Sequence, residues 1–199
     1  VLFIAGPVSA TTGEDYAFRI ERLDPATPIP LALGETRQGT ITLAGETDLY
    51  EFTLTQSTRL YFDALTASAG AGSGSDRFLW GVAPSVGAVV PSISFSASSP
   101  EGAVFDLGPG TYRLAIGATV GDAGSYAFRL LNVAAAGPII VGSSTTALLA
   151  PPAETDLYSF TAQAGDAFSF EALGGGEAGF VQWLLVGSDG GVLFSVPLG

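Results

Sequence analysis

The seven residues Glu46-Thr47-Asp48-Leu49-Tyr50-Glu51-Phe52 return as Glu154-Thr155-Asp156-Leu157-Tyr158-Ser159-Phe160, 108 positions later. In each copy Leu, Tyr and Phe are interleaved with polar or small residues behind a short acidic turn. Period-two patterning sends alternate side chains to opposite faces, so each copy predicts a half-buried strand entered through a tight corner. A second recurrence frames the first. Tyr16-Ala17-Phe18-Arg19 stands 110 positions before Tyr126-Ala127-Phe128-Arg129. A chain with two such echoes at nearly one spacing is constrained to a repeat of about 108 residues, in which equivalent strands must fit equivalent neighbours.

The expected fold class is all-β, with tandem antiparallel β-sandwich repeats of jelly-roll-like form. Gly at 27 and Pro at 12 among the 199 residues, with short apolar runs between them, favour strands and turns over helices. The predicted strands of the complete repeat are Thr40–Leu43, Asp48–Thr55, Arg59–Leu65, Phe78–Val82, Ala88–Phe95, a short one near Val104, Thr111–Ile116 and Ser125–Asn132. The order begins again with Thr145–Leu149, Asp156–Ala162, Ala167–Leu173, Val181–Val186 and a last strand to Val196. Ala67–Ser75, almost entirely Gly, Ala and Ser, reads as a loop. The Pro-rich Asp24–Pro30 and its counterpart Ala134–Pro138 read as linkers.

The domain reading follows. Residues 1–23 are the closing hairpin of a preceding, incomplete repeat. Residues 24–133 form a complete β-sandwich, and 134–199 are the opening strands of a following, incomplete repeat. The chain is therefore expected to be either a window on a longer tandem array or a molecule whose two incomplete ends complement each other. Strands without neighbours expose unpaired backbone groups, which drives pairing with another chain.

These residues, taken in order, carry a family resemblance. The pattern runs Gly39-Thr40-Ile41-Thr42-Leu43, Glu46–Phe52, Tyr61-Phe62-Asp63-Ala64-Leu65 and Trp80-Gly81-Val82. It continues through Gly108-Pro109-Gly110-Thr111-Tyr112-Arg113-Leu114 to Gly124-Ser125-Tyr126-Ala127-Phe128. It resembles the bacterial pre-peptidase C-terminal domain, across one full unit and most of a second. The resemblance implies a compact jelly-roll-like sandwich of a secreted or surface protein. It also implies a non-catalytic accessory module, of a kind appended to proteases or repeated in adhesins. Some relatives bind calcium, collagen or polysaccharide. Members often carry Asp-x-Asp before the Tyr, whereas Glu46 or Glu154 holds the first of those positions here.

Composition narrows the chemistry. Hydrophobic residues at 47% and charged residues at 13% permit a real core and exclude a disordered chain. Seven basic residues, all Arg, face nineteen acidic ones for a formal charge of −12. Such a surface repels phosphate backbones, so no nucleic-acid partner is expected. No apolar run approaches the roughly 18–20 residues of a membrane-spanning helix, so no membrane insertion is expected. Without His, Cys or Lys, the usual base for a Ser nucleophile, the Cys–His and Ser–Lys pairs and His/Cys zinc sites are all absent. A carboxylate pair drawn from Glu51, Asp63 and Glu171 is the one remaining catalytic arrangement. Asp63 and Glu171 hold equivalent repeat positions, which fits a structural role better. No enzyme activity and no organic cofactor are expected.

The candidate metal ligands are Glu46, Asp48, Glu154 and Asp156, because calcium takes clustered hard oxygens. The competing reading has Asp48 and Asp156 holding the corner by accepting backbone N–H bonds in the turn. Gly70–Gly74 lacks the Lys and the strand–helix context of a phosphate loop. Trp80 and Trp183 could stack on sugars, but their place on alternating strands favours core packing. Tyr16, Tyr50, Tyr112 and Tyr126 are expected to bury their rings and bond the backbone through their hydroxyls.

The function expected from this sequence is a structural repeat module of an exported bacterial surface or fibre-forming protein, extracellular, self-associating or packed on neighbouring repeats, with strand complementation as the joint. The alternative is a ligand-binding accessory module, for calcium, collagen or polysaccharide, of a secreted enzyme or adhesin.

Overall fold

The computed structural model describes residues 15, 27–43, 45–69, 78–86, 89–95, 104–118, 123–174 and 181–197. Nine strands between residues 29 and 132 make two facing sheets. They are β1 (Ile29–Pro30), β2 (Arg37–Ile41), β3 (Thr47–Leu54), β4 (Thr58–Ala69), β5 (Phe78–Pro84), β6 (Ile93–Ser94), β7 (Val104–Leu107), β8 (Gly110–Ala118) and β9 (Gly124–Asn132). One sheet has the order β1-β3-β8-β5-β6 and the other β2-β9-β4-β7. All neighbours are antiparallel except β1 and β3. The all-β sandwich follows from strands whose alternate residues are apolar. Tyr50, Phe52 and Leu54 of β3 and Leu60, Phe62 and Ala64 of β4 are buried, each set sharing one parity.

Phe62 sits at the middle of the core. Its ring stacks on Trp80 at 4.1 Å and on Phe128 at 5.3 Å, with Phe95 edge-on at 5.4 Å. Trp80 is thus a core residue, 3% exposed. The aromatic layer draws on both sheets and gives the interior most of its apolar area.

Several expectations change. Thr111–Ile116 and Ser125–Asn132 do not form a hairpin. β8 lies between β3 and β5, while β9 lies between β2 and β4 in the other sheet. The chain crosses the sandwich between them, so both strands can bury an apolar face against the same core. The supposed linkers are also more than linkers. Pro30 belongs to β1, which pairs in parallel with β3, Ile29 opposite Tyr50. An edge strand tolerates Pro because one of its sides needs no donor. After a 3₁₀ turn at Val133–Ala135, β10 (Gly137–Pro138) pairs in parallel with β11 (Tyr158–Ser159), Gly137 opposite Tyr158. In the described part of the expected strand Ala88–Phe95, Ile93–Ser94 is the segment that forms a strand, and the expected loop Ala67–Ser75 begins inside β4. Residues 70–75 lie outside the described residues, as does nearly all of 1–23.

The C-terminal stretch departs most from expectation. Thr145–Leu149 and Ala167–Leu173 form no ladder, and Asp156–Ala162 is reduced to two paired residues. Among the described residues β12 (Gln182–Val186) and β13 (Val192–Pro197) pair with each other alone. A strand exists only where a neighbour takes its hydrogen bonds. β4 has β9 and β7 beside it, whereas 167–173 has no such neighbour among the described residues.

Candidate functional site

The acidic corner is built from Glu46, not Asp48. One Glu46 carboxylate oxygen accepts the backbone N–H groups of Thr42 and Leu43 at 2.6 and 2.9 Å and the Thr42 hydroxyl at 2.8 Å. These bonds, led by the one from the Thr42 backbone, hold the Glu46 carboxyl below the usual range. Glu154 repeats the contact, accepting the Ala150 N–H at 3.1 Å. The turn-holding role read for Asp48 and Asp156 therefore belongs to the glutamates. Asp48 shares the parity of Tyr50, Phe52 and Leu54 and so points inward, away from the turn.

Asp48 ties the two sheets together instead. The Tyr126 hydroxyl of β9 donates to Asp48 Oδ2 at 2.5 Å, and the Tyr50 hydroxyl lies 2.8 Å from that of Tyr126. Tyr126 has one proton and gives it to the carboxylate, so Tyr50 donates to Tyr126. Burial pushes the Asp48 carboxyl and both phenols above their ordinary values. Gly39 on β2 makes room for this chain. A Cβ there would collide with the Tyr126 hydroxyl and lie 2.8 Å from Asp48 Oδ2. Among the described tyrosines Tyr112 alone follows the expected pattern of bonding the backbone at a corner, donating to the Gly108 carbonyl at 3.0 Å; Tyr16 lies outside the described residues.

The second copy lacks this closure. Tyr158 is 46% exposed where Tyr50 is 1%, and its hydroxyl turns back to Asp156 Oδ2 at 3.4 Å. All four proposed metal ligands thus accept hydrogen bonds within the protein. Among the described residues no three Asp or Glu side chains gather as a metal ion would need. The catalytic carboxylates do not meet either. Glu51 pairs with Arg113 at 3.4 Å on the β3 sheet, and Asp63 pairs with Arg129 on the other.

A polar seam joins the sandwich to the C-terminal stretch along the outer face of β4. Asp63, 1% exposed, accepts two bonds from Arg129, whose other nitrogen reaches Glu154 Oε1 at 2.7 Å. Arg129 also donates to the Thr155 carbonyl at 3.2 Å, and the Tyr61 hydroxyl meets Thr155 Oγ1 at 3.1 Å. Arg59, bidentate on Asp106 at 2.9 Å, reaches the carbonyls of Gly187 and Ser188. Burial raises the Asp63 carboxyl, and Arg129 opposes that shift without cancelling it. This seam was not legible beforehand, since its partners lie 25 to 129 residues apart.

Beyond the seam, residues 168–174 and 181–197 present an open aromatic face. Phe168, Phe170, Trp183 and Phe194 line a hollow of about 390 Å³ with Val196 and Pro197. Phe170 is 41% exposed, although its sequence equivalent Phe62 is 3% exposed. Trp183 packs edge-on to Phe170 at 5.5 Å, where Trp80 stacks flat on Phe62. The residues are those of a core, lying open on one side.

No protein-family model matches the chain, and no curated protein matches it. Among solved structures, the pre-peptidase C-terminal domain of collagenase from Bacillus anthracis is similar at 17% identity and a TM-score of 0.39. The match covers 55% of this chain and 99% of that one. No helix among the described residues is long and apolar enough to cross a membrane.

Proposed function

We propose that the chain is a non-catalytic structural repeat module of an exported bacterial surface or fibre-forming protein, in which units join end to end. One observation carries the reading. The glutamate-to-amide bond of the entry corner recurs 108 residues on, from Glu46–Thr42 to Glu154–Ala150, and the second corner is clamped to the first sandwich by Arg129. Leu31 N–H donates to the Glu51 carbonyl at 2.8 Å, and Ile139 N–H to the Ser159 carbonyl at 2.9 Å. The register of β1 on β3 returns in β10 on β11 with the same offset. Repeats that contact only their neighbours through a fixed joint build extended structures. The motif order of the pre-peptidase C-terminal family supports a secreted accessory module. The pairing of Glu51 with Arg113 and of Asp63 with Arg129, in different sheets, supports a role without catalysis.

Sedimentation velocity across a wide concentration range tests this. The reading requires elongated species that grow with concentration; a monomer at every concentration removes it. A calcium- or sugar-binding module would instead show a raised melting temperature with that ligand, because ligand bound only by the folded state stabilises it.

A further inference from the structure

The seam between the sandwich and the C-terminal stretch is held at two places of unequal burial. At the first, Arg129 stands between the buried Asp63 and Glu154, whose side chain is 19% exposed, with the Tyr61 hydroxyl on Thr155 Oγ1 beside them. At the second, Arg59 grips Asp106, whose side chain is 61% exposed, and its remaining nitrogen reaches the Gly187 and Ser188 carbonyls at 3.3 and 3.2 Å. The turn is shaped for that guanidinium. A Cβ at Gly190 would lie 2.4 Å from an Arg59 nitrogen, and Asp189 attracts Arg59 through space while its own oxygen accepts the Gly191 N–H. Salt treats the two places differently. The screening length falls from about 30 Å at roughly 0.01 M to about 3 Å at roughly 1 M, and it acts on exposed charges far more than on buried ones. A buried charge that loses its partner is costly, whereas an exposed pair holds weakly.

The topology sets the two places on different lines. Arg129 is on β9, and the chain leaves β9 at Asn132 through the 3₁₀ turn into β10. The buried contact and the covalent link therefore share one strand. Arg59 lies across the sheet on β4, opposite Asp106 of the edge strand β7. Past Thr155 the stretch is tied together by its rings. Phe160 meets Phe168 at 5.1 Å and Phe170 at 6.1 Å, and Phe170 meets Trp183 at 5.5 Å and Phe194 at 5.2 Å. These contacts link the corner to the β12–β13 hairpin, whose turn Arg59 holds.

We propose that the seam is a hinge with β9 as its line, Arg129 as its pivot and Arg59 as a catch that salt releases, so that the β12–β13 hairpin swings away from β7 while the Glu154 corner stays bound. This rests on the structural reading above, in which the corner joins successive units, and makes the angle of that joint depend on ionic strength. Arg59 is a positioning residue, set by Asp106 to face the turn.

The chain has no cysteine, so spin labels can be placed at will. Ser57→Cys on the sandwich and Leu193→Cys on the hairpin are both exposed and neither side chain takes part in the catch. In the full chain at low ionic strength the distance between the labels is expected to be single and narrow. At about 1 M sodium chloride a second, longer population is expected. Arg59→Gln is expected to show that longer population already at low salt, with no further response to salt. Adding Glu154→Gln to Arg59→Gln removes the charge partner at the pivot and is expected to broaden the longer population. A distance that stays single and narrow at every salt concentration overturns the proposal, as does an Arg59→Gln chain that responds to salt like its parent. The labels are read on single chains in dilute protein. A catch that never opens therefore leaves end-to-end assembly standing with a rigid joint, and a chain that fails to grow in sedimentation leaves the catch standing.

Discussion

Phe62 and Phe170 occupy the same place in the two copies of one strand sequence, yet their surroundings differ in a way that fixes the cost of removing each. Phe62 is 3% exposed, stacked between Trp80 and Phe128 with Phe95 edge-on. Truncating a fully packed Phe to Ala costs about 3–5 kcal/mol, the sum of lost transfer energy and of the cavity left behind. Phe170 is 41% exposed and touches Phe160, Trp183 and Phe194 only through edges or tilted rings. Its truncation leaves no closed cavity, and on area alone it costs about 1–1.5 kcal/mol. Urea unfolding at low protein concentration, followed by Trp80 fluorescence in a Trp183→Phe background, separates the two. Phe62→Ala should lower the midpoint strongly without changing the slope, and Phe170→Ala should lower it by less than half as much. Equal costs for the two substitutions at low concentration would refute the claim that one face is closed and the other open.

Gly39→Ala should destabilise the fold by about 1–3 kcal/mol, because its Cβ would force apart the Tyr126–Asp48 contact; a thermal melt checks it, and a neutral result would mean that the hydroxyl chain moves freely. Arg129→Ala leaves Asp63 buried without its cation and should cost about 3–5 kcal/mol at neutral pH. The Asp63 carboxyl already lies above its ordinary value because of burial, and removing Arg129 raises it further. A raised acid destabilises the fold as pH climbs through its folded value, so the variant should recover stability on acidification, and Asp63→Asn should rescue it at neutral pH. Tyr50, Tyr61 and Tyr126 are held above their usual value by burial. Their contribution is intact below about pH 10 and is lost above it, where the unfolded chain releases protons that the folded chain retains. Tyrosinate absorbance should then rise together with loss of the β signal in circular dichroism. Smooth titration of all tyrosines near pH 10 in a folded protein would contradict that.

What the sequence disclosed is what local pattern encodes. The alternation in Tyr50–Leu54 and Leu60–Ala64 marks inward faces whatever the topology, so the sandwich, its core aromatics and the burial of Trp80 were legible. Pairing between distant strands was not. The predicted strands Thr111–Ile116 and Ser125–Asn132 follow each other in sequence, yet they lie in opposite sheets, a choice made by the core and not by the short connection. The corner role was given to Asp48 because Asp favours turns, but strand parity turns Asp48 inward and leaves the longer Glu46 to reach the Thr42 and Leu43 amides. Asp63 and Arg129 could be matched only as repeat positions. Their link to Glu154 depends on how the C-terminal stretch folds back over β4, which no local pattern specifies.

Hydrogen exchange of the amides in residues 168–173 addresses the central claim most directly. Slow exchange reports stable strand pairing, and exposed unpaired backbone exchanges fast. The amides of Leu60–Ala64 should be protected at every concentration, since β9 pairs with them within the chain. Those of 168–173, which form no ladder among the described residues, should exchange rapidly in dilute protein. Amides in 168–173 as strongly protected in dilute protein as those of Leu60–Ala64 would contradict a closed face at Phe62 and an open one at Phe170.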